Sequence, residues 1–377
     1  MKKLVSFLLV LSLTLSLAVI SVGCGKKDEG AKGESYELAL VTDMGNIDDK
    51  SFNQGAWEGV EKYAKENGKT YKYYKPAEKS DTAYISSIDQ AIKAGAKVVV
   101  CPGFLFEVPV FKSQSKYKDV KFVILDGVPN DGVRTGDKQP TFKTEDNTQS
   151  ILYAEEEAGF LAGYAAVKDG YKNLGFMGGV ALPPVVKFGY GYLQGAEFAA
   201  KELGLKKGDI NIDYTYVGNF DASPENMAKA SSWYNDGAEV IFACGGAVGN
   251  SVMKAAETAN KDGDKIQKAV IGVDVDQSAE SKTVITSAMK NLKKSVYDAI
   301  DGYYNNKFIG GKTTVFDVKV EGVGLPFENS KFKSFDKASY DKVYEKLVKG
   351  EVKVKKDTDA KEPADLGLEL VKVNLIK

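Results

Sequence analysis

Gly95-Ala96-Lys97-Val98-Val99-Val100-Cys101-Pro102-Gly103 is answered, 142 positions later, by Gly237-Ala238-Glu239-Val240-Ile241-Phe242-Ala243-Cys244-Gly245. Each stretch is a glycine-led turn, a short β-branched run and a glycine again, the form of a buried parallel strand. Two further pairs follow in the same order. Phe122-Val123-Ile124-Leu125-Asp126 is echoed by Val270-Ile271-Gly272-Val273-Asp274 at offset 148, and Leu38–Thr42 by Leu174–Gly178 at offset 136. One such echo is weak evidence, because buried strands resemble one another. An ordered set of three predicts two similar α/β lobes.

Working outward, the β-branched runs predict strands at 38–42, 71–74, 97–100, 122–125, 174–177, 213–217, 240–243 and 270–273. Amphipathic stretches between them predict helices over 52–67, 84–94, 151–167, 185–203, 225–235 and 249–260. Strand–helix–strand alternation implies an α/β fold of parallel sheets with helices on both faces. Ligands then bind at the carboxyl ends of the strands, and two facing lobes direct both sets of strand ends to one cleft.

The N-terminus has a different character. Lys2 and Lys3 precede an uncharged run from Leu4 to Gly23, ending in Ser21-Val22-Gly23-Cys24. A basic start, apolar middle and small-residue end describe a signal peptide over 1–23, and the last four residues resemble a bacterial lipobox with Ser21 where Leu is usual. The expectation is a lipidated Cys24 on a polar tether over 24–35; an uncleaved membrane anchor is the alternative.

Of 377 residues, 43% are hydrophobic and 27% charged, an ordinary globular mixture. Lys plus Arg is 51 against 52 acids, a net charge of -1 that becomes -3 once 1–23 are removed. Near-neutral charge argues against a nucleic-acid binder. Histidine is absent, which excludes Ser-His-Asp and Cys-His nucleophile systems and His-ligated metal or haem. Cys101 and Cys244 fall in different lobes and are expected as buried free thiols. No cofactor or metal site is expected.

The candidate residues lie just past the strands. After 38–42 come Asp43, Gly45, Asp49, Ser51, Phe52 and Asn53. Asp43 and Asn53 offer hydrogen bonds and Phe52 a flat apolar face, with Ser51 or Asp49 capping the following helix. A capped turn with a packing aromatic reads the same pattern equally well. Phe220 follows the strand ending at Val217, and could face the cleft or cover a helix. Asp126 and Asp274 close equivalent strands, suiting a neutral ligand with vicinal hydroxyls, or simply forming turns. Gly245-Gly246-Ala247-Val248-Gly249 opens a helix but completes neither a P-loop nor a dinucleotide motif. Lys290 lies near an expected crossing between lobes.

Taken together, Leu40–Gly45 with Asp48–Gln54, Gly159–Gly163, Val217–Asp221, Gly245-Gly246, Gly272–Gln277 and Thr286–Lys290 are similar to the basic-membrane-protein family of bacterial lipoproteins, the purine-nucleoside receptors of ABC transporters. The resemblance implies a type I periplasmic-binding fold with a hinge, lobe I being 36–153 plus about 282–317 and lobe II 154–281 plus about 318–377. It implies that Phe52 and Phe220 stack on the two faces of a purine, with Phe188 and Phe242 as rivals for the second ring. Asp126 and Asn53 would read the base, Asp274 and Lys290 would hold the ribose, Gly249 would allow close backbone approach and Asp43 would contact the ligand. It further implies a monomeric, lipid-anchored, extracytoplasmic receptor that delivers its ligand to a permease and is not an enzyme. The alternative is a nucleoside or glycoside hydrolase using Asp126 or Asp274.

Overall fold

The computed structural model describes residues 35–134, 139–260 and 266–376. The expected signal peptide, Cys24 and almost all of the tether lie outside the described residues. Two sheets organise the remainder. The first contains β1 (Leu38–Val41), β2 (Tyr71–Tyr74), β3 (Val98–Pro102), β4 (Lys121–Leu125), β5 (Thr148–Tyr153) and β11 (Lys312–Phe316), in the order β2-β1-β3-β4-β5-β11 and all parallel. The second contains β6 (Asn173–Gly178), β7 (Asn211–Tyr216), β8 (Val240–Cys244), β9 (Ala269–Asp274), β10 (Val284–Lys290), β12 (Val323–Gly324) and β13 (Lys372–Leu375). Its order is β12-β10-β9-β8-β6-β7-β13, with only β12 antiparallel.

The two orders share one core, β2-β1-β3-β4-β5 matching β7-β6-β8-β9-β10. This is the doubly wound 2-1-3-4-5 arrangement. The three sequence echoes fall on β1/β6, β3/β8 and β4/β9, which hold equivalent places. All side chains of β1, β3, β8 and β9 are buried, as strands covered on both faces must be.

Helices cover these faces: α1 (Phe52–Asn67), α2 (Asp81–Lys93), α3 (Glu107–Lys116), α4 (Glu155–Lys168), α5 (Pro183–Glu202), α6 (Pro224–Asn235), α7 (Val248–Ala259), α8 (Leu292–Tyr304) and α9 (Lys337–Val348). α1 ends at Gly68, whose left-handed φ of 61° suits a residue without Cβ. α6 starts on Ser223, whose hydroxyl accepts from the Asn226 N–H at 3.2 Å, with Pro224 in the first turn.

Two expectations need correction. The helix expected over 151–167 starts at Glu155, because Ile151–Tyr153 extend β5 between β4 and β11. A short apolar run next to a helix cannot be assigned by periodicity alone. The chain was also expected to pass to the first lobe near residue 282. Instead β10 pairs in parallel with β9, so 284–290 belong to the second sheet and the passage follows Lys290. The chain therefore moves between sheets after Tyr153, after Lys290 and after Phe316.

Candidate functional site

The carboxyl ends of both sheets face a cavity of about 450 Å³. It opens where strand order reverses in each sheet, β1/β3 in one and β6/β8 in the other. Asp43, Phe52, Asn53, Asp126, Phe220, Asp274 and Lys290 all line it. Gly249 does not. A side chain there would meet Met253 and Gln277, and Asn250 reaches the cavity instead. Phe188 is in the wall, whereas Phe242 is fully buried among Phe176, Phe188 and Tyr192. Residue 179 must be glycine, because a Cβ there would lie 2.5 Å from the Phe220 ring.

The turn before α1 builds one side of the site. Asp49 caps the helix, accepting from the N–H groups of Ser51 (2.9 Å), Asn53 (3.0 Å) and Gln54 (3.1 Å). Ser51, freed from capping, donates its hydroxyl to Asp274 Oδ2 at 2.6 Å. Asn53 donates its amide hydrogens to Asp43 (2.8 Å) and Asp49 (2.9 Å), so its amide is committed to holding these acids in place. Burial pushes the Asp43 carboxyl up to about 6, against its hydrogen bonds from Gly45 and Asn53.

A charged cluster forms the other side. Lys290 Nζ, buried at the end of β10, lies 2.6 Å from Asp126 Oδ2, 3.2 Å from Asp274 Oδ1 and 3.7 Å from Glu155 Oε1. It also sits 4.4 Å from the centre of the Phe52 ring, in cation–π range. One ammonium serves three carboxylates. Burial opposes its charge, but Asp126, Asp274 and Glu155 hold it well above the usual lysine range. Burial pushes Asp126 up to about 7 against the pull of Lys290, and Glu155 adds to the rise. Asp126 Oδ1 is buried without a hydrogen-bond partner, an acceptor left open beside the cavity.

Sequence reasoning missed Glu155 and Lys187. Lys187 Nζ lies 2.5 Å from Glu155 Oε2 and donates to the Tyr153 carbonyl at 3.1 Å. Further contacts join the two lobes: Gln277 donates to the Lys50 carbonyl at 2.7 Å, and Lys50 pairs with Glu280 at 3.7 Å. Cys101 and Cys244 are free and buried, Cys244 facing the cavity. Among the described residues, no cluster of three or more acidic or thiol side chains is arranged to hold a metal ion.

Comparison with known proteins gives a consistent result. Residues 36–358 match the family model described as ABC transporter substrate-binding protein PnrA-like. The chain is 30% identical over 338 residues to the ABC transporter nucleoside-binding protein BmpA of Lactococcus lactis, covering 84% of this chain and 90% of that one. It is 29% identical to basic membrane protein D of Borreliella burgdorferi, covering 87% and 88%. An ABC transporter solute-binding protein structure from Aeropyrum pernix superposes with a TM-score of 0.74 at 21% identity, covering 87% of this chain and 95% of that one. One from Conexibacter woesei does so at 0.64 and 21%, covering 85% and 99%. At such identities the structures speak for the fold alone.

Proposed function

The chain belongs to the Bmp family of PnrA-like ABC transporter substrate-binding proteins, and from that premise we propose that it captures a purine nucleoside between its lobes and delivers it to a permease. The family binds substrate for transport and is not enzymatic, which sets aside the hydrolase alternative.

One observation carries the ligand reading. The same cavity is lined by the aromatic rings of Phe52 and Phe220 and by the Asp126–Lys290–Asp274 cluster. Two aromatic rings suit a flat heterocycle, since stacking is tolerant of which base is present. Ionised carboxylates with a lysine suit a sugar bearing adjacent hydroxyls, which can donate to the acids and accept from the ammonium. The tie through Lys290 between Asp126 and Asp274 favours reading Asp126 with the ribose rather than with the base. Asp43, held by Asn53, is left to meet the base. Six cavity-lining aspartates face one lysine, which disfavours a phosphorylated ligand by like-charge repulsion. The relative named as nucleoside-binding supports the same class of ligand.

In this reading Cys24 carries the lipid that holds a monomeric receptor at the extracytoplasmic face, and ligand binding closes the lobes about the three passages between sheets. The test is a panel of nucleosides, bases and sugars at millimolar concentration, read by thermal shift and calorimetry. Purine nucleosides should raise the melting temperature through mass-action linkage. No response to any nucleoside overturns the proposal.

A further inference from the structure

Two charged side chains that do not line the cavity complete the cluster around Lys290. Glu155 is the first residue of α4, directly after the first passage between sheets. It is fully buried, with Oε1 3.7 Å from Lys290 and Oε2 2.5 Å from Lys187. Lys187, on α5, also holds the Tyr153 carbonyl at the end of β5. A chain of alternating charges thus runs from Lys187 through Glu155 and Lys290 to Asp126, whose second oxygen has no partner. Of that chain Asp126 and Lys290 reach the ligand cavity, and Glu155 and Lys187 do not.

We propose that Glu155 and Lys187 are positioning residues that set, through Lys290, how readily Asp126 accepts a hydrogen bond from the bound ligand. This rests on the reading that Asp126 contacts a ligand hydroxyl. The charged groups facing Asp126 are Lys290 on β10, Asp274 on β9, Glu155 on α4 and Lys187 on α5, with Glu156 one residue further along α4. Tyr153 on β5 and Cys244 on β8 are the neutral titratable neighbours; burial raises both. Glu155 repels a negative charge on Asp126 and Lys187 favours it. Lys187 and Lys290, acting against burial, hold Glu155 below the usual carboxylate range, so it stays charged while Asp126 titrates near neutrality.

The two residues consequently act in opposite senses. A ligand hydroxyl is held more tightly by an ionised carboxylate than by a neutral carboxyl, so affinity falls as pH drops through the Asp126 titration. Without the Glu155 charge, Asp126 stays ionised to lower pH. Without Lys187, Glu155 is unpaired, repels Asp126 and competes for Lys290, so Asp126 takes up its proton at higher pH. A merely structural role for the ion pair would make both substitutions weaken binding alike at every pH.

The experiment is adenosine calorimetry across about pH 5.5–8.5 on the wild type, Glu155→Gln, Lys187→Gln and the control Glu156→Gln. It is paired with carbon-detected NMR titration of the Asp126 carboxyl in the ligand-free protein. The acid limb of binding should move down by roughly one pH unit in Glu155→Gln and up by a similar amount in Lys187→Gln, with the control unmoved. Equal loss at all pH values, or an Asp126 resonance that titrates unchanged in both variants, overturns the proposal. If the Asp126 carboxyl shifts in opposite directions but no nucleoside binds the wild type, the charge coupling stands and the ligand reading fails.

Discussion

Asp126 and Asp274 end equivalent strands of the two sheets with the same left-handed backbone, φ 54° and 67°, and both place a carboxylate oxygen on the ammonium of Lys290, at 2.6 and 3.2 Å. Non-glycine residues seldom adopt this conformation, and Asp is among the few that tolerate it. The duplicated fold thus presents a duplicated turn, and its two acids converge on one lysine from opposite lobes. Replacing Lys290 with Met leaves Asp126, Asp274 and Glu155 buried without that countercharge. Breaking such a buried pair costs about 3–5 kcal/mol. Urea unfolding should show that loss at about pH 8 and a smaller one near pH 5, where Asp126, raised by burial, takes up a proton. Equal loss at both pH values would separate the cost from charge.

The interior strands were readable because a parallel strand covered on both faces is an unbroken apolar run, as in Val98–Val100 and Val240–Ala243. β10 was not, because Thr286 and Ser287 interrupt its run although both are fully buried. β11 lies at a sheet edge with Thr313 and Val315 exposed, so no burial pattern marks it. The aromatic and acidic cavity residues were readable from their places after strands. Glu155 and Lys187 were not. An acid in the first turn of a helix reads as ordinary complementarity to the helix dipole, and a helical lysine reads as solvated. Their pairing arises only when α4 and α5 pack together.

Phe52 is half-buried and its ring faces the cavity, so truncating it should affect ligand far more than fold. Base–aromatic stacking is worth about 1–3 kcal/mol, so Phe52→Ala should raise the dissociation constant for a purine nucleoside by roughly 5- to 150-fold. Ligand-free stability should change by less than about 1 kcal/mol. Calorimetry and denaturant melts on the same preparation check both. Unchanged affinity would remove Phe52 from the stacking role.

Three carboxyls, Asp126 buried and Asp43 and Glu156 half-buried, give the ligand-free protein a pH dependence of definite sign. Asp43, Asp126 and Glu156 are raised to about 6, about 7 and about 7, with burial the first cause in each. A carboxyl raised on folding stabilises the native state while protonated, and the contribution is lost as pH rises through the folded value. The window runs from about pH 4 to about pH 7, and the chain has no histidine to titrate against it. The melting temperature should be higher at about pH 5.5 than at about pH 8, and Asp126→Asn should reduce the difference. A melting temperature that climbs over this range would contradict the assignment.

α4 and α5 approach closely enough to require glycine on both sides. Gly159 and Gly163 on α4 and Gly191 and Gly195 on α5 are spaced four residues apart, and each faces backbone of the other helix. A methyl group on Gly195 would overlap the Phe160 carbonyl, and one on Gly163 the Tyr192 carbonyl. Backbone cannot rotate away as a side chain can, so the helices must separate. Such overpacking costs about 1–3 kcal/mol, offset only slightly by the better helix propensity of Ala. Gly195→Ala should therefore lower unfolding stability by that amount in urea. It should also weaken ligand binding without touching the cavity, because α5 carries Phe188 in the cavity wall and Lys187 on Glu155. Wild-type stability in this variant would mean the helices can part freely, and the Lys187–Glu155 contact could not then depend on their close approach.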